Sequence, residues 1–534
     1  MPRNVALFAL IAALLIASHA PLLRLPYFWD EAGYYVPAAR DLLAGSLIPH
    51  STPSNAHPPL VMAWLALIWK ILGFRPVITR CAMLLLAAFS LLGLFRLALA
   101  VSNLSVAAWT TFLTAVYPVF FAQSSLAQVD LPAAGFIFWG LEYYVRKRVW
   151  LAGIWFSLAA LAKETAILVP MALLLWEVSM RVITRHWRAS EAEAVSQGES
   201  SIGTSGPRAN PGWSAAEFIL APLFPLALWY AYHYARTGFV FGNPEFFQYN
   251  FQANLHPLRI VLALLLRIWH TTGYMNLYVL TIACLLAMRQ SPIQDVAGAR
   301  PRIAVPVQLT FLAVAVIYVI AMAIVGGAVL ARYMLPVVPL VILVCVSTVW
   351  RRLQISNWVL GVVALAFVGG LFVNPPYGFA PEDNLAYGDY IRLHQNAERW
   401  LQARYPNARV LTAWPATGEL TKPEVGYVER PMRVVQIEDF TAEQLLSTAD
   451  ASSRFDVALV FSTKYQPRTI FDRWEKWQEW KARYFGFHRD LPPEAAAGVL
   501  GGRLVYVRRR QGHWVGIIEV QRIEQAANIP NSLR

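Results

Sequence analysis

The sequence predicts a mainly α, multi-pass membrane helical bundle of about eleven spans followed by a soluble α/β domain, and three observations lead there. Of its 534 residues, 57% are hydrophobic and only 14% are charged; with a mean hydropathy of +0.44, the chain lies outside the range of water-soluble globular proteins. Apolar runs close to the roughly 20 residues that cross a bilayer recur along the first 373 positions. The acidic residues are divided unevenly, with 13 of the 32 Asp and Glu in residues 1–374 and 19 in the last 160. The expected organisation is therefore a transmembrane region over 1–373, whose first outer loop covers 24–76, and an extracytoplasmic α/β domain over 374–534.

The expected spans lie near 4–23, 77–100, 104–122, 128–146, 164–182, 214–235, 305–325, 331–350 and 356–373. Two more are less regular: 149–163 is short, and 257–288 reads as a surface helix followed by a span broken near Gly273. Ser18-His19-Ala20 has the look of a signal-peptide cleavage site, but Pro21 follows it and the next residues read as a functional loop, so the first run is taken as a span. Residues 60–73, with Trp64, Trp69 and Lys70, are too few to cross and read as an interfacial helix. That choice sets the sidedness. It puts the basic clusters Arg146-Lys147-Arg148 and Arg181 to Arg188 on the inner face with the N-terminus, as the positive-inside bias requires, and leaves the tail outside. The net charge of +13 follows from these inner clusters and does not point to nucleic acid.

Residues 189–213 are small, polar and Gly/Ser-rich, and are expected to form a flexible inner loop. The tail opens with an amphipathic helix over 390–405, followed by β-rich runs at 409–414, 432–437, 457–461, 504–507 and 516–520. No GxxxxGK, GxGxxG or HExxH motif is present, which removes the usual signals for nucleotide binding and zinc proteolysis. Cys81, Cys284 and Cys345 all sit in apolar segments, and neither a zinc ribbon nor a disulfide framework can be built from them.

The residues with chemical potential collect on one side. Trp29-Asp30-Glu31-Ala32-Gly33-Tyr34-Tyr35 places two carboxylates among aromatics just past a membrane helix, where burial raises carboxylate basicity; the plainer alternative is Asp30 as a helix N-cap. His57 precedes Pro58-Pro59 at the entry to the interfacial helix, or is simply a solvated turn histidine. Asp130 opens a span at the outer face, where a carboxylate is costly, with an N-cap role as its alternative. Lys163, in Lys163-Glu164-Thr165, either meets an anion or snorkels. Arg332-Tyr333 falls on the same side. Asp30, Glu31, His57, Asp130, Lys163, Arg332 and Tyr333 thus share one thin layer at headgroup depth, suited to chemistry between a lipid phosphate and a polar acceptor. A transporter or flippase of lipid-linked sugars is the alternative, but transporter sites usually lie near the midplane on broken helices of repeated halves.

These motifs, in this order and on this side, resemble the GT-C superfamily of polyprenyl-phosphate-dependent glycosyltransferases, in particular glycosyltransferase family 39 and the lipid A aminoarabinose transferase-like members. The resemblance covers most of residues 1–350. It implies inverting transfer of a monosaccharide from a polyprenyl-phosphate sugar to a lipid, glycan or protein hydroxyl at the outer face of a bacterial plasma membrane. It further implies Asp30 as general base, with Glu31 and Asp130 orienting acceptor or sugar, His57, Lys163, Arg332 and Tyr333 meeting the donor phosphate, and Tyr34 and Tyr35 positioning substrate. His57 stands where many aminoarabinose transferases have Lys and protein O-mannosyltransferases have His, whereas the tail does not match the β-trefoil of the eukaryotic mannosyltransferases. No organic cofactor is called for; a divalent metal ion held by Asp30, Asp130 and His57 is left open, because these ligand types have no diagnostic spacing.

Overall fold

The computed structural model describes residues 2–196, 220–242, 255–296, 298–325, 327–449, 454–465, 467 and 469–520. Its first part is helical: α1 (Pro2–Ser18), α2 (Val36–Leu43), α3 (Leu60–Leu72), α4 (Pro76–Val101), α5 (Leu104–Val116), α6 (Pro118–Ser124), α7 (Asp130–Val145), α8 (Val149–Ala162) and α9 (Leu168–Ser196). Then follow α10 (Leu223–Thr237), α11 (Pro257–Thr272), α12 (Leu277–Ala287), α13 (Val305–Val325), α14 (Val338–Arg352) and α15 (Ser356–Phe372). By length and apolar composition, Pro76–Val101, Glu164–Ile183 and Val305–Val325 are able to cross a membrane, and α5 with α6 form a further candidate bent by 69°. The bend falls at Tyr117-Pro118, where proline lacks the N–H that would continue α5.

Other expected spans are helices of fewer than 18 residues. The 331–350 run is a short 3-10 turn over Ala331–Met334 before α14, since Pro336 and Pro339 prevent a continuous helix from starting earlier. The 257–288 run is divided into α11 and α12 by a 3-10 turn at Tyr274–Asn276, inside which Met275 has φ 47°. Most of the Gly/Ser-rich stretch lies outside the described residues. Its start differs from the expected loop, because α9 runs on to Ser196 through the helix-forming Glu and Ala of 191–194.

The helices pack through small residues. α4 lies along α7 and α7 along α8. A Cβ on Gly135 would sit 1.9 Å from Ser90 Oγ, and one on Gly140 would sit 2.4 Å from the Phe156 ring. Such close approach is how helices associate where burial of apolar surface gives little drive. α3 buries Val61, Leu65 and Trp69 while Leu67, Ile71 and Leu72 remain exposed, an apolar outer face.

A two-stranded hairpin pairs β1 (Gln294–Asp295) with β2 (Gly298–Ala299) between α12 and α13. The C-terminal part holds a five-stranded sheet in the order β4-β3-β5-β7-β6, built from β3 (Arg409–Ala413), β4 (Arg433–Ile437), β5 (Val457–Phe461), β6 (Gly502–Arg510) and β7 (His513–Val520). β3 pairs parallel with β4 and β5, and β7 pairs antiparallel with β5 and β6. The central β5, Val-Ala-Leu-Val-Phe, is buried throughout, as a strand covered on both faces must be. Helix α16 (Ala386–Arg404) packs on β6 and β7, and α17 (Ala416–Thr421) on β3 and β4.

The sheet part closes over the first loop. Tyr27 N–H donates to Val425 O at 3.1 Å, the Tyr427 hydroxyl donates to Tyr27 O at 3.0 Å, and the Trp414 indole packs edge-on against Trp29 at 4.7 Å between centroids.

Candidate functional site

The loop that carries Asp30 is fixed from below. Arg80 of α4, fully buried, donates to Glu31, to Ser125 O at 2.9 Å and to Pro26 O at 2.9 Å. Glu31, also fully buried, further accepts from the Phe28 N–H at 2.8 Å and from the Ala127 N–H at 2.5 Å. Its oxygens are thereby saturated on Arg80 and the backbone. Glu31 therefore does not join the cluster around Asp30; it locks the loop to α4. Breaking such a buried pair from one side costs about 3–5 kcal/mol.

The backbone is strained at two points, each just before a candidate residue. Trp29, with φ 45°, precedes Asp30, and Ala56, with φ 56°, precedes His57. Non-glycine residues in the left-handed region cost free energy and gather at functional sites. A single π turn follows over Glu31–Tyr35, a distortion often found in such places. Gly33 lets Trp414 come close, since a Cβ there would lie 3.2 Å from its indole.

Four predicted residues meet around one guanidinium. Arg332, 2% exposed, bonds Asp30 at 2.5 Å, lies 3.2 Å from Asp130 and pairs with Glu382. Lys163 pairs with the other oxygen of Asp130 and sits 3.7 Å above the centre of the Tyr333 ring. The plainer alternatives do not describe these side chains. Asp30 makes no side-chain cap bond; Asp130 is the first residue of α7 rather than its cap, and its oxygens go to cations. Lys163 is buried rather than extended to the surface. Of the three carboxylates on Arg332, Asp30 is the partly exposed one, at 20%, against 3% for Asp130 and 6% for Glu382.

His57 is held beside this cluster. Its Nδ1 is 2.8 Å from Glu164 Oε2, and its ring stacks on Tyr35 at 5.9 Å, so it is no freely solvated turn residue. Burial, with Asp30 and Asp130 close by, raises the Tyr35 phenol well above its ordinary pKa. Tyr34 lies against Trp414 at 6.3 Å. The metal alternative does not fit: Asp30 and Asp130 are ion-paired to Arg332 and Lys163, and His57 is turned to Glu164. Among the described residues these three form no common ligand set.

Two members of the site were not anticipated. Arg267 of α11 donates to Leu330 O at 2.6 Å and Ala328 O at 3.1 Å, which fixes the loop leading to Arg332, and its guanidinium lies 5.4 Å from the Tyr333 ring centre. Glu382 comes from a turn at Pro381–Asp383 just past α15. Its sequence signal is a carboxylate pair, Glu382-Asp383, a short loop beyond an apolar run, the same pattern as Asp30-Glu31. Burial, with Asp30, Asp383 and Asp130 nearby, lifts the Glu382 carboxyl to about 8 despite Arg332. Burial likewise raises Asp383, which accepts from the Tyr274 hydroxyl at 2.6 Å, to about 6.

Residues 56–195 match the family model described as dolichyl-phosphate-mannose-protein mannosyltransferase. Two crystal structures of ArnT from Cupriavidus metallidurans share the fold. The one bound to undecaprenyl phosphate is 14% identical with a TM-score of 0.53, and the apo form is 15% identical with a TM-score of 0.54. Each comparison covers 96% of this chain and 97% of the other. No curated protein matches the sequence.

Proposed function

We propose that this chain, a membrane glycosyltransferase of the GT-C type by its family match and its fold, transfers a monosaccharide from a polyprenyl-phosphate donor to an acceptor hydroxyl with inversion, at the outer face of a bacterial plasma membrane. In this reading the N-terminus is cytoplasmic, residues 1–373 form the transmembrane region, and residues 374–534 lie outside as an α/β domain.

The observation that carries the proposal is the partly exposed Asp30 held on buried Arg332, whose other carboxylate partners among the described residues are the buried Asp130 and Glu382. An acceptor hydroxyl oxygen attacks the anomeric carbon, its proton passes to Asp30, and the bond from that carbon to the phosphate oxygen breaks with its electron pair. A lipid phosphate leaves as a stable anion and needs cations more than a proton. Lys163 and His57, with the Tyr333 hydroxyl, are the groups assigned to it. Arg332 is surrounded by carboxylates, so its role shifts from phosphate binding to positioning Asp30. Glu31 acts through Arg80 on the same loop, and Tyr34 and Tyr35 line the approach. The acceptor is a lipid, glycan or protein hydroxyl. The ArnT structure bound to undecaprenyl phosphate supports the donor class.

The test is release of free polyprenyl phosphate from a panel of labelled polyprenyl-phosphate sugars by the purified chain in lipid, with cell-envelope extract as acceptor. Consumption of one donor with label appearing in an acceptor is expected. No consumption of any donor, together with movement of donor between leaflets of liposomes, overturns the transferase in favour of a flippase.

A further inference from the structure

A second cluster of titratable side chains lies outside the layer just described, under the sheet. His394 and Glu398 stand one turn apart on α16, and Glu419 faces them from α17. All three are 0–1% exposed. His394 Nδ1 is 2.7 Å from Glu419 Oε2 and 3.6 Å from Glu398 Oε1, and one ligand atom from each residue lies within 4.8 Å of the others.

The hydrogen bonding there is incomplete. Among the described residues, both oxygens of Glu398, Oε1 of Glu419 and Nε2 of His394 meet no N–H or hydroxyl donor, the two carboxyl groups facing each other instead, and no Lys or Arg forms an ion pair with either carboxylate there. Around them are the Tyr390 ring, stacked on His394 at 4.2 Å, and Phe461 at 4.6 Å. Two carboxylates in an apolar shell, with one imidazole as their only cationic side-chain partner among the described residues, are a costly arrangement unless a proton or a metal ion neutralises them.

We propose that His394, Glu398 and Glu419 bind a divalent cation of the zinc class. One imidazole nitrogen with carboxylate oxygens is a borderline-to-hard donor set that suits such an ion. Ligand atoms on a tetrahedral ion with bonds of about 2.0–2.1 Å stand about 3.3 Å apart, between the two separations measured from His394. The spare carboxylate oxygens complete the coordination. The site is closed to substrate, so the ion is structural, and it ties α16 to α17. Trp414, two residues ahead of α17, is the side chain packed on Trp29 and Gly33. The cation thus holds the outer support of the Asp30 loop without touching the reacting groups.

The experiment uses the full-length, tag-free chain in detergent, purified without chelator, incubated with zinc or manganese salts and desalted before elemental analysis. About one equivalent of metal per chain is expected in the wild type, with at least a tenfold loss in Glu398→Gln and in the His394→Ala, Glu419→Gln double variant. Because a variant that misfolds also loses metal, wild-type protein is stripped with chelator and re-titrated with zinc while thermal unfolding is followed. A melting temperature that falls on stripping and returns on zinc addition supports the site. Wild-type chain that retains no metal, variants that retain as much as wild type, or a melting temperature indifferent to stripping and re-addition each overturn it.

Discussion

At the residue scale, the site depends on how three carboxylates share one guanidinium. Asp30, Asp130 and Glu382 surround Arg332, and Lys163 neutralises part of Asp130. In a medium of low dielectric, three ionised carboxylates at such distances repel strongly, and Glu382, raised to about 8 chiefly by burial, is the one that takes up a proton most readily. Its folded pKa lies above the unfolded value of about 4.3. The stability this group contributes is therefore fully present below about pH 4.3 and is lost as pH rises through about 8. Glu382→Gln mimics the protonated form. Its melting temperature is expected to fall less than that of the wild type between pH 6 and 9, and equal pH slopes for the two proteins would contradict this assignment. Asp30 and Arg332 were legible in the sequence because each sits in a short motif at the edge of an apolar run. That they touch was not, because 302 positions separate them.

At the element scale, the arrangement rests on helices packed through glycine and on loops fixed by buried arginines. Gly135 on α7 lies so close to Ser90 on α4 that a Cβ would overlap its hydroxyl. Because α7 begins with Asp130, a shift of this helix moves the partner of Lys163 and Arg332. Gly135→Ala is expected to cost about 1–3 kcal/mol by overpacking, read as a lower melting temperature, with Gly135→Ala, Ser90→Ala recovering part of it. No recovery in the double variant would mean that the contact does not limit the packing. Most helices were legible from hydrophobic runs, and all five strands of the larger sheet fell where β-rich runs were expected. Boundaries failed where proline or a positive φ intervened: Pro336 before α14 and Pro339 in its first turn, Pro118 in the bent pair and Met275 between α11 and α12. Neither Arg80 nor Arg267 lies in a motif that the sequence singles out. Their role comes from carbonyl groups in loops that local pattern does not bring near.

At the scale of the whole molecule, the cluster is assembled from both ends of the chain. The first loop contributes Asp30, the helical core Asp130, Lys163 and Arg332, and the turn before the sheet part Glu382, while Val425, Tyr427 and Trp414 pack on the loop from outside. The family match covers 56–195 alone, so it includes His57, Asp130 and Lys163 but neither Asp30 nor Arg332. The reading of the tail as a separate water-facing unit left out Glu382 and the contacts around Trp29, because a division by charge density says nothing about which surfaces meet.

The most direct test of the account compares wild type with Asp30→Asn in the same lipid nanodiscs, measuring single-turnover release of polyprenyl phosphate alongside donor binding. If Asp30 is the base, the rate falls by about 10²–10⁴ while donor affinity stays within about twofold. A variant that turns over at the wild-type rate, or that loses donor binding as steeply as rate, would contradict the central claim.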